Sequence, residues 1–150
     1  MTDTLPDDQM YAIAEQVFSA MVDGDVGLLQ RWAGDVPAIA DPLVAWVDLH
    51  GDWTGRAALT TSLPVAHDLT RALIKLDAHE EVVAEDLVDA FGELANVVGG
   101  NLKALMPTHG TLGLPQVASV VPDVAGIVSV EELHLSWRGH LIVVSIWMLG

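Results

Sequence analysis

Glu93 and Asn96 are the side chains of this 150-residue chain whose types and spacing best suit chemistry. They stand three residues apart in the run EEVVAEDLVDAFGELANVVGGNLKALM, from about Glu80 to Met106, which Pro107 closes. A carboxylate accepts hydrogen bonds or pairs with a cation, and a carboxamide donates and accepts at once, so together they can hold a charged partner and orient a polar molecule. By itself an E-x-x-N spacing also describes an ordinary solvated helix face. What surrounds the pair has to decide.

On a helix, Leu87, Phe91, Leu94, Val98, Leu102 and Leu105 form one stripe at spacings of three and four, which must face a core. Asp86, Asp89, Glu93, Asn96, Gly100 and Lys103 fall on the opposite side, pointing outward. The helix contains Gly92, Gly99 and Gly100, and glycine costs about 1 kcal/mol relative to alanine inside a helix. Gly92 flanks Glu93 and Gly100 lies one turn beyond Asn96, an arrangement that flattens the surface around the pair for close approach of another protein's backbone. A close crossing by a neighbouring helix accounts for Gly99 and Gly100 equally well.

The elements that would position this helix follow from periodicity. Asp7 and Asp8 can cap a first helix with Met10, Ile13, Ala14, Val17, Phe18 and Met21 on its apolar side, ending near Asp23-Gly24. In residues 25–42, Leu28, Leu29 and Trp32 suggest a strand or a turn of helix, but Gly34, Pro37 and Pro42 break anything longer, and the stretch reads as mostly irregular. Leu43 to His50 and Trp53 to Ser62 read as a hairpin, and Pro64 opens a second helix with Ala66, Leu69, Leu73, Ile74 and Leu76 as its buried side. Gln116 to Val121 suits an edge strand. Leu133, Leu135 and Trp137 alternate with polar residues, Arg138-Gly139 turns, and Leu141 to Met148 is apolar on both faces and so belongs at the centre of a sheet. Without repeats or linkers, residues 1–150 are expected to form a single domain. The predicted fold class is α+β, a two-layer sandwich with helices packed on one face of a mostly antiparallel sheet.

Six Lys+Arg against 21 Asp+Glu give a net charge of −15, which disfavours nucleic acid and anionic membranes as partners. No apolar run reaches the roughly 18 to 20 residues of a membrane span, and the acidic start lacks the pattern of a secretory signal. With no cysteine, neither disulfides nor thiolate chemistry are available, and a cytoplasmic location is expected. The six histidines are scattered without metal-site spacing, so no metal is expected on this chain, and no nucleophile-elbow pattern supports a hydrolase triad. The five tryptophans mostly sit at strand-like positions where packing explains them.

The string DAFGELANVVGGNLK, Asp89 to Lys103, resembles the signature helix of the CheX/CheC family of chemotaxis phosphatases, with Asp89, Glu93 and Asn96 at its three marked positions. The order of the other elements is similar to that family over most of the chain, and one such helix rather than two points to the CheX arrangement. The wider pattern includes a proline downstream of the Asn, for which Pro115 and Pro122 are the available matches. The resemblance implies dephosphorylation of a phosphoaspartate on a CheY-type response regulator. Asn96 would orient the attacking water, and Glu93 would dock to a lysine of the regulator. Asp89, Gly92, Gly100 and Lys103 would belong to the partner-binding surface, with Asp89 tuning docking and Lys103 also serving as a helix-end counter-charge. The resemblance further implies Mg²⁺ carried by the regulator and a homodimer formed through the sheets. The alternative is a non-catalytic module on the same fold that binds a response regulator without accelerating hydrolysis.

Overall fold

The structure, a computed structural model, describes residues 7–24, 28–51, 54–105, 110–120 and 126–149. Helix α1, Asp7–Val17, runs directly into a π-helical turn, Phe18–Asp23, which Gly24 ends with a φ of 67° that glycine adopts without strain. Strand β1, Leu29–Arg31, lies within the stretch expected to be irregular. Three residues are too few for a period to show, and pairing with the closing hairpin (Leu29 opposite Trp137) is what makes them a strand.

Strands β2, Pro42–Gly51, and β3, Thr54–Ser62, pair antiparallel from Pro42 opposite Ser62 to Leu49 opposite Gly55. Trp53 lies outside the described residues. Helix α2, Leu63–Ile74, follows at once, its first turn capped by the Ser62 hydroxyl accepting from the Val65 amide at 3.4 Å and favoured by Pro64. Its buried side is Val65, Ala66, Leu69 and Thr70; Leu73 and Leu76 are half-buried, and Ile74, expected inside, is 40% exposed. That residue closes the helix, where the chain is already leaving the core.

Helix α3, Ala84–Ala104, starts four residues later than the sequence pattern suggests. Glu80 instead closes a turn, donating its amide to the Asp77 carbonyl while its carboxylate accepts from the Asp77 amide. Val83 is extended at φ −74°, ψ 152°, and Glu85 and Asp86 occupy the first turn, where the helix dipole favours negative charge. Leu87, Phe91, Leu94, Val98 and Leu102 are buried as their spacing requires, whereas Leu105, just past the helix end, is 39% exposed.

Strands β4, Gly110–Leu112, and β5, Gln116–Ala118, both pair with β2, and β6, Ile127–Trp137, forms a long hairpin with β7, His140–Leu149. The sheet order is β1-β6-β7-β3-β2-β4, with β5 beside β4 along β2, and every pairing is antiparallel. The apolar β7 is therefore central, with Leu141 to Ile146 all buried. The edge strand expected through Val121 stops at Ala118, and Val121 lies outside the described residues.

The helices cover one face of this sheet, giving an α+β two-layer sandwich. Met10, Phe18, Leu69, Phe91, Leu94, Val98 and Leu102 meet Val47, Leu59, Leu135, Trp137, Ile142 and Val144 in one core. The opposite face carries a smaller cluster of Val44, Trp46 and Ala58, with Ala118 against it. There Arg56 pairs with Asp48 at 2.7 Å and lies over the Trp46 and Trp147 rings. Among the described residues no helix is long and apolar enough to cross a membrane.

Candidate active site

α3 lies so close to the sheet because of Gly99. A Cβ added there would sit 2.5 Å from Val47 Cγ2 and 3.4 Å from Ala57 Cβ. The neighbour that needs this glycine is the sheet, not a second helix. With its stripe pressed onto β2 and β3, the helix must present its other side to solvent, and that side carries the sequence-predicted residues.

Asp89 and Glu93 are exposed, and Asp86 and Asn96 are half-buried. Asp89 and Glu93 are four apart and Asp86 and Asp89 three apart, so neighbouring carboxylates stack along one helix face. Each such like-charge pair costs about 0.2–0.5 kcal/mol. Among the described residues none of the three has a hydrogen bond or an ion pair to offset this. With Ala90 they border a groove of about 370 Å³ whose remaining walls are Met21 of the π-helical turn and Leu73 and Ile74 of α2. The exposed Ile74 thus lines the groove that flanks Glu93.

The chain's two asparagines differ in what they hold. Asn101 Nδ2 donates to the Val97 carbonyl at 2.8 Å. The Asn96 carboxamide has no partner among the described residues and does not appear among their buried unsatisfied groups. It therefore keeps both a donor and an acceptor available at the surface, one turn from Glu93.

The remaining sequence-predicted residues divide. Gly92 is buried, and a Cβ there would meet Pro115 Cβ at 3.5 Å and Val117 Cγ2 at 3.6 Å; one at Gly100 would meet Leu112 Cδ1 at 3.4 Å. Both glycines face the chain's own segment 110–118, which differs from the open strip expected of them. Lys103 is half-buried in the last turn, ten residues from Glu93 and so roughly 15 Å along the axis. It is not brought to the pair. Pro115 is brought near, against the residue that precedes Glu93, whereas Pro122 lies outside the described residues. Met21, Leu73 and Ile74 are the groove residues that sequence reasoning did not assign to the site. Their signal was apolar periodicity, which assigns a residue to a core without saying where that core opens.

No three His, Asp or Glu residues among those described gather in a way that would hold a metal ion. His134 comes within 4.0 Å of Glu132 on the outer face of the sheet, and in the hairpin register His134 lies opposite Val143 and His140 opposite Trp137.

Known proteins share this fold. A structure of the CheX-CheY-BeF3-Mg complex from Borrelia burgdorferi contains a chain that matches with a TM-score of 0.75 at 16% identity, over 95% of this chain and 97% of that one. A CheC-like superfamily protein from Shewanella sp. PV-4 matches with 0.74 at 17% identity, over 98% and 100%. The chemotaxis protein CheX from Desulfovibrio desulfuricans matches with 0.72 at 17% identity, over 94% and 97%. At these identities the likeness establishes the fold. Comparison with curated protein sequences finds no match. The sequence profile described as chemotaxis phosphatase CheX matches residues 43–121, from the first long strand through α3 to the edge strands and just over half of the chain. This chain belongs to the chemotaxis phosphatase CheX family.

Proposed function

We propose that the protein dephosphorylates the phosphoaspartate of a CheY-type response regulator, with Asn96 orienting the attacking water and Glu93 docking to the regulator. The observation that carries this reading is the uncommitted Asn96 carboxamide standing one turn from Glu93 on the solvent side of α3. Membership of the CheX family supports the reaction class, and the Borrelia burgdorferi CheX has been crystallised in a complex with CheY, BeF3 and Mg.

Phosphoryl transfer asks little of a protein beyond positioning and charge stabilisation. The carboxamide oxygen accepts a hydrogen bond from the water, holding it in line with the P–O bond to be broken, while the NH₂ donates to a phosphoryl oxygen. Water oxygen bonds to phosphorus, the aspartate carboxylate leaves, and the water's protons go to the departing phosphate and solvent. Glu93 pairs with a lysine at the regulator's active site and sets the register of the complex. Asp89, on the same groove, adds to the attraction. Mg²⁺ belongs to the regulator in this scheme, and none of its ligands come from this chain.

The same reading makes the protein a cytoplasmic homodimer of single-domain subunits joined through their sheets. What supports the dimer is the face opposite the helices, where Val130 is exposed, Trp147 half-exposed, and Trp46 Nε1 buried without an acceptor among the described residues. Sedimentation equilibrium tests it.

The enzymatic claim is tested by following phosphate loss from phosphorylated regulators of the host with and without the protein. Asn96→Ala is expected to lower the accelerated rate about 100-fold or more while leaving Tm unchanged. Glu93→Ala is expected to raise KM through a weaker complex. Unchanged turnover in Asn96→Ala overturns the mechanism. A regulator that is captured while its phosphate is lost at the intrinsic rate identifies the non-catalytic binding module instead.

A further inference from the structure

Away from the α3 face, a second cavity of about 450 Å³ lies between the end of α2 and the β6–β7 turn. Its lining includes Arg71 and Lys75 from α2 and its cap, and Arg138 and His140 from the turn. A chain with six basic residues against 21 acidic ones thus spends three of the six on one cavity.

The backbone adds a second observation. Lys75 caps α2 with φ 63°, and Arg138 is the first central residue of the hairpin turn with φ 53°, followed by Gly139 at 84°. Both are left-handed positions, which glycine or asparagine fills at lower cost. Three described residues other than glycine have positive φ, and the two basic ones both line this cavity. Placing cations where the backbone prefers glycine is strain kept at a site, and strain of that kind points to a ligand.

The donors that remain show what the ligand must be. Arg71 uses Nε on the Glu80 carbonyl at 2.9 Å and Nη1 on Asp68 at 2.8 Å, leaving Nη2. Arg138 uses Nη2 on Asp23 at 2.9 Å, leaving Nε and Nη1, and Lys75 has no partner among the described residues. Two carboxylates temper the charge: Asp68 lines the cavity beside Arg71, and Asp23, its side chain 1% exposed, holds Arg138 and the Trp137 indole. With those ion pairs in place, Lys75 is the uncompensated cation and the two guanidinium groups supply directed donors around it. The carbonyl end of α2 opposes an anion, an opposition lessened at Arg71, whose carbonyl already accepts from the Lys75 and Leu76 amides. We propose that this cavity binds a small phosphate monoester, whose three terminal oxygens accept from Lys75, Arg71 and Arg138. Three donor groups converging from two elements match the three terminal oxygens of a phosphoryl group, where a carboxylate offers two. Val22, Ala72 and Leu76 give the ester's carbon skeleton an apolar wall. The proposal does not rest on the roles of Glu93 and Asn96.

The test is an NMR titration of the full chain at fixed ionic strength, read at the Trp137 indole N–H, which is bonded to the same Asp23 carboxylate as Arg138. Glycerol 3-phosphate is expected to give a saturable shift, inorganic phosphate a weaker one, and succinate none that saturates. Lys75→Gly removes a cation that bonds nothing among the described residues and relieves a left-handed position, so Tm should hold or rise while affinity falls about tenfold. Arg138→Asn should weaken binding similarly, and Arg31→Gln, outside the cavity, should not. The proposal is overturned if no phosphate compound saturates the shift, if succinate binds as well as glycerol 3-phosphate, if free phosphate alone binds, or if Lys75→Gly binds like the parent.

Discussion

Glu93 and Asn96 differ in how much their roles depend on the rest of the molecule. Asn96 needs only an exposed amide at the right helical phase, and α3's buried stripe provides that phase, so this much was legible in the sequence. Glu93 depends on what lies beside it, and the groove formed with Met21, Leu73 and Ile74 brings together three separate elements, one of them some seventy residues away in the chain. No local pattern reports such a groove. Asp23 is the clearest case of a side chain whose importance appears only in three dimensions. In the sequence it marks the end of a helix; in the fold its nearly inaccessible carboxylate accepts from Trp137 Nε1 at 3.1 and 3.2 Å and from Arg138 at 2.9 Å, 115 residues away. Asp23→Ala would leave the Trp137 N–H without that acceptor, and the expected cost is about 1–3 kcal/mol of stability, measured by urea unfolding. Retention of full stability would show that the bond contributes nothing net.

Among the elements, α3 and its glycines give the sharpest expectations. Gly99→Ala gains about 1 kcal/mol of helix propensity but drives a methyl group into Val47, a fully buried strand residue that cannot retreat. Overpacking of that kind typically costs about 1–3 kcal/mol, so the net effect should be destabilising and Tm should fall. Gly100→Ala makes only a 3.4 Å contact with Leu112 Cδ1 at a half-buried position, so the propensity gain should dominate and Tm should rise. Circular dichroism melts of the two neighbours therefore should move in opposite directions. Both glycines looked alike in the sequence, because periodicity locates a face but not its distance from the next layer. The same limit explains the start of α3. Glu80 to Val83 continue an apolar-polar pattern compatible with helix, yet the turn closed by Asp77 and Glu80 competes for that backbone and wins.

For the molecule as a whole, a net charge of −15 on 150 residues means self-repulsion in the folded state, weakly offset by four Arg–carboxylate pairs among the described residues. Raising ionic strength from about 0.01 to 0.15 M shortens the Debye length from about 30 to 8 Å and should raise Tm, as a calorimetric series would show; a fall would mean that the ion pairs outweigh the repulsion. The sequence by itself determined the three α-helices and the two long hairpins, the buried stripe of α3, the antiparallel α+β class and the outward phase of Asp89, Glu93 and Asn96, because each is encoded in spacings of two, three or four residues; the three-residue strands β1 and β4 were not among them. Tertiary structure alone decided the pairing of Leu29 with Trp137, which strands flank the central β7, the approach of α3 to Val47, the segment packed over Gly92 and Gly100, and the gathering of Arg71, Lys75 and Arg138. Those features depend on contacts between residues far apart in the chain, and such contacts leave no local period.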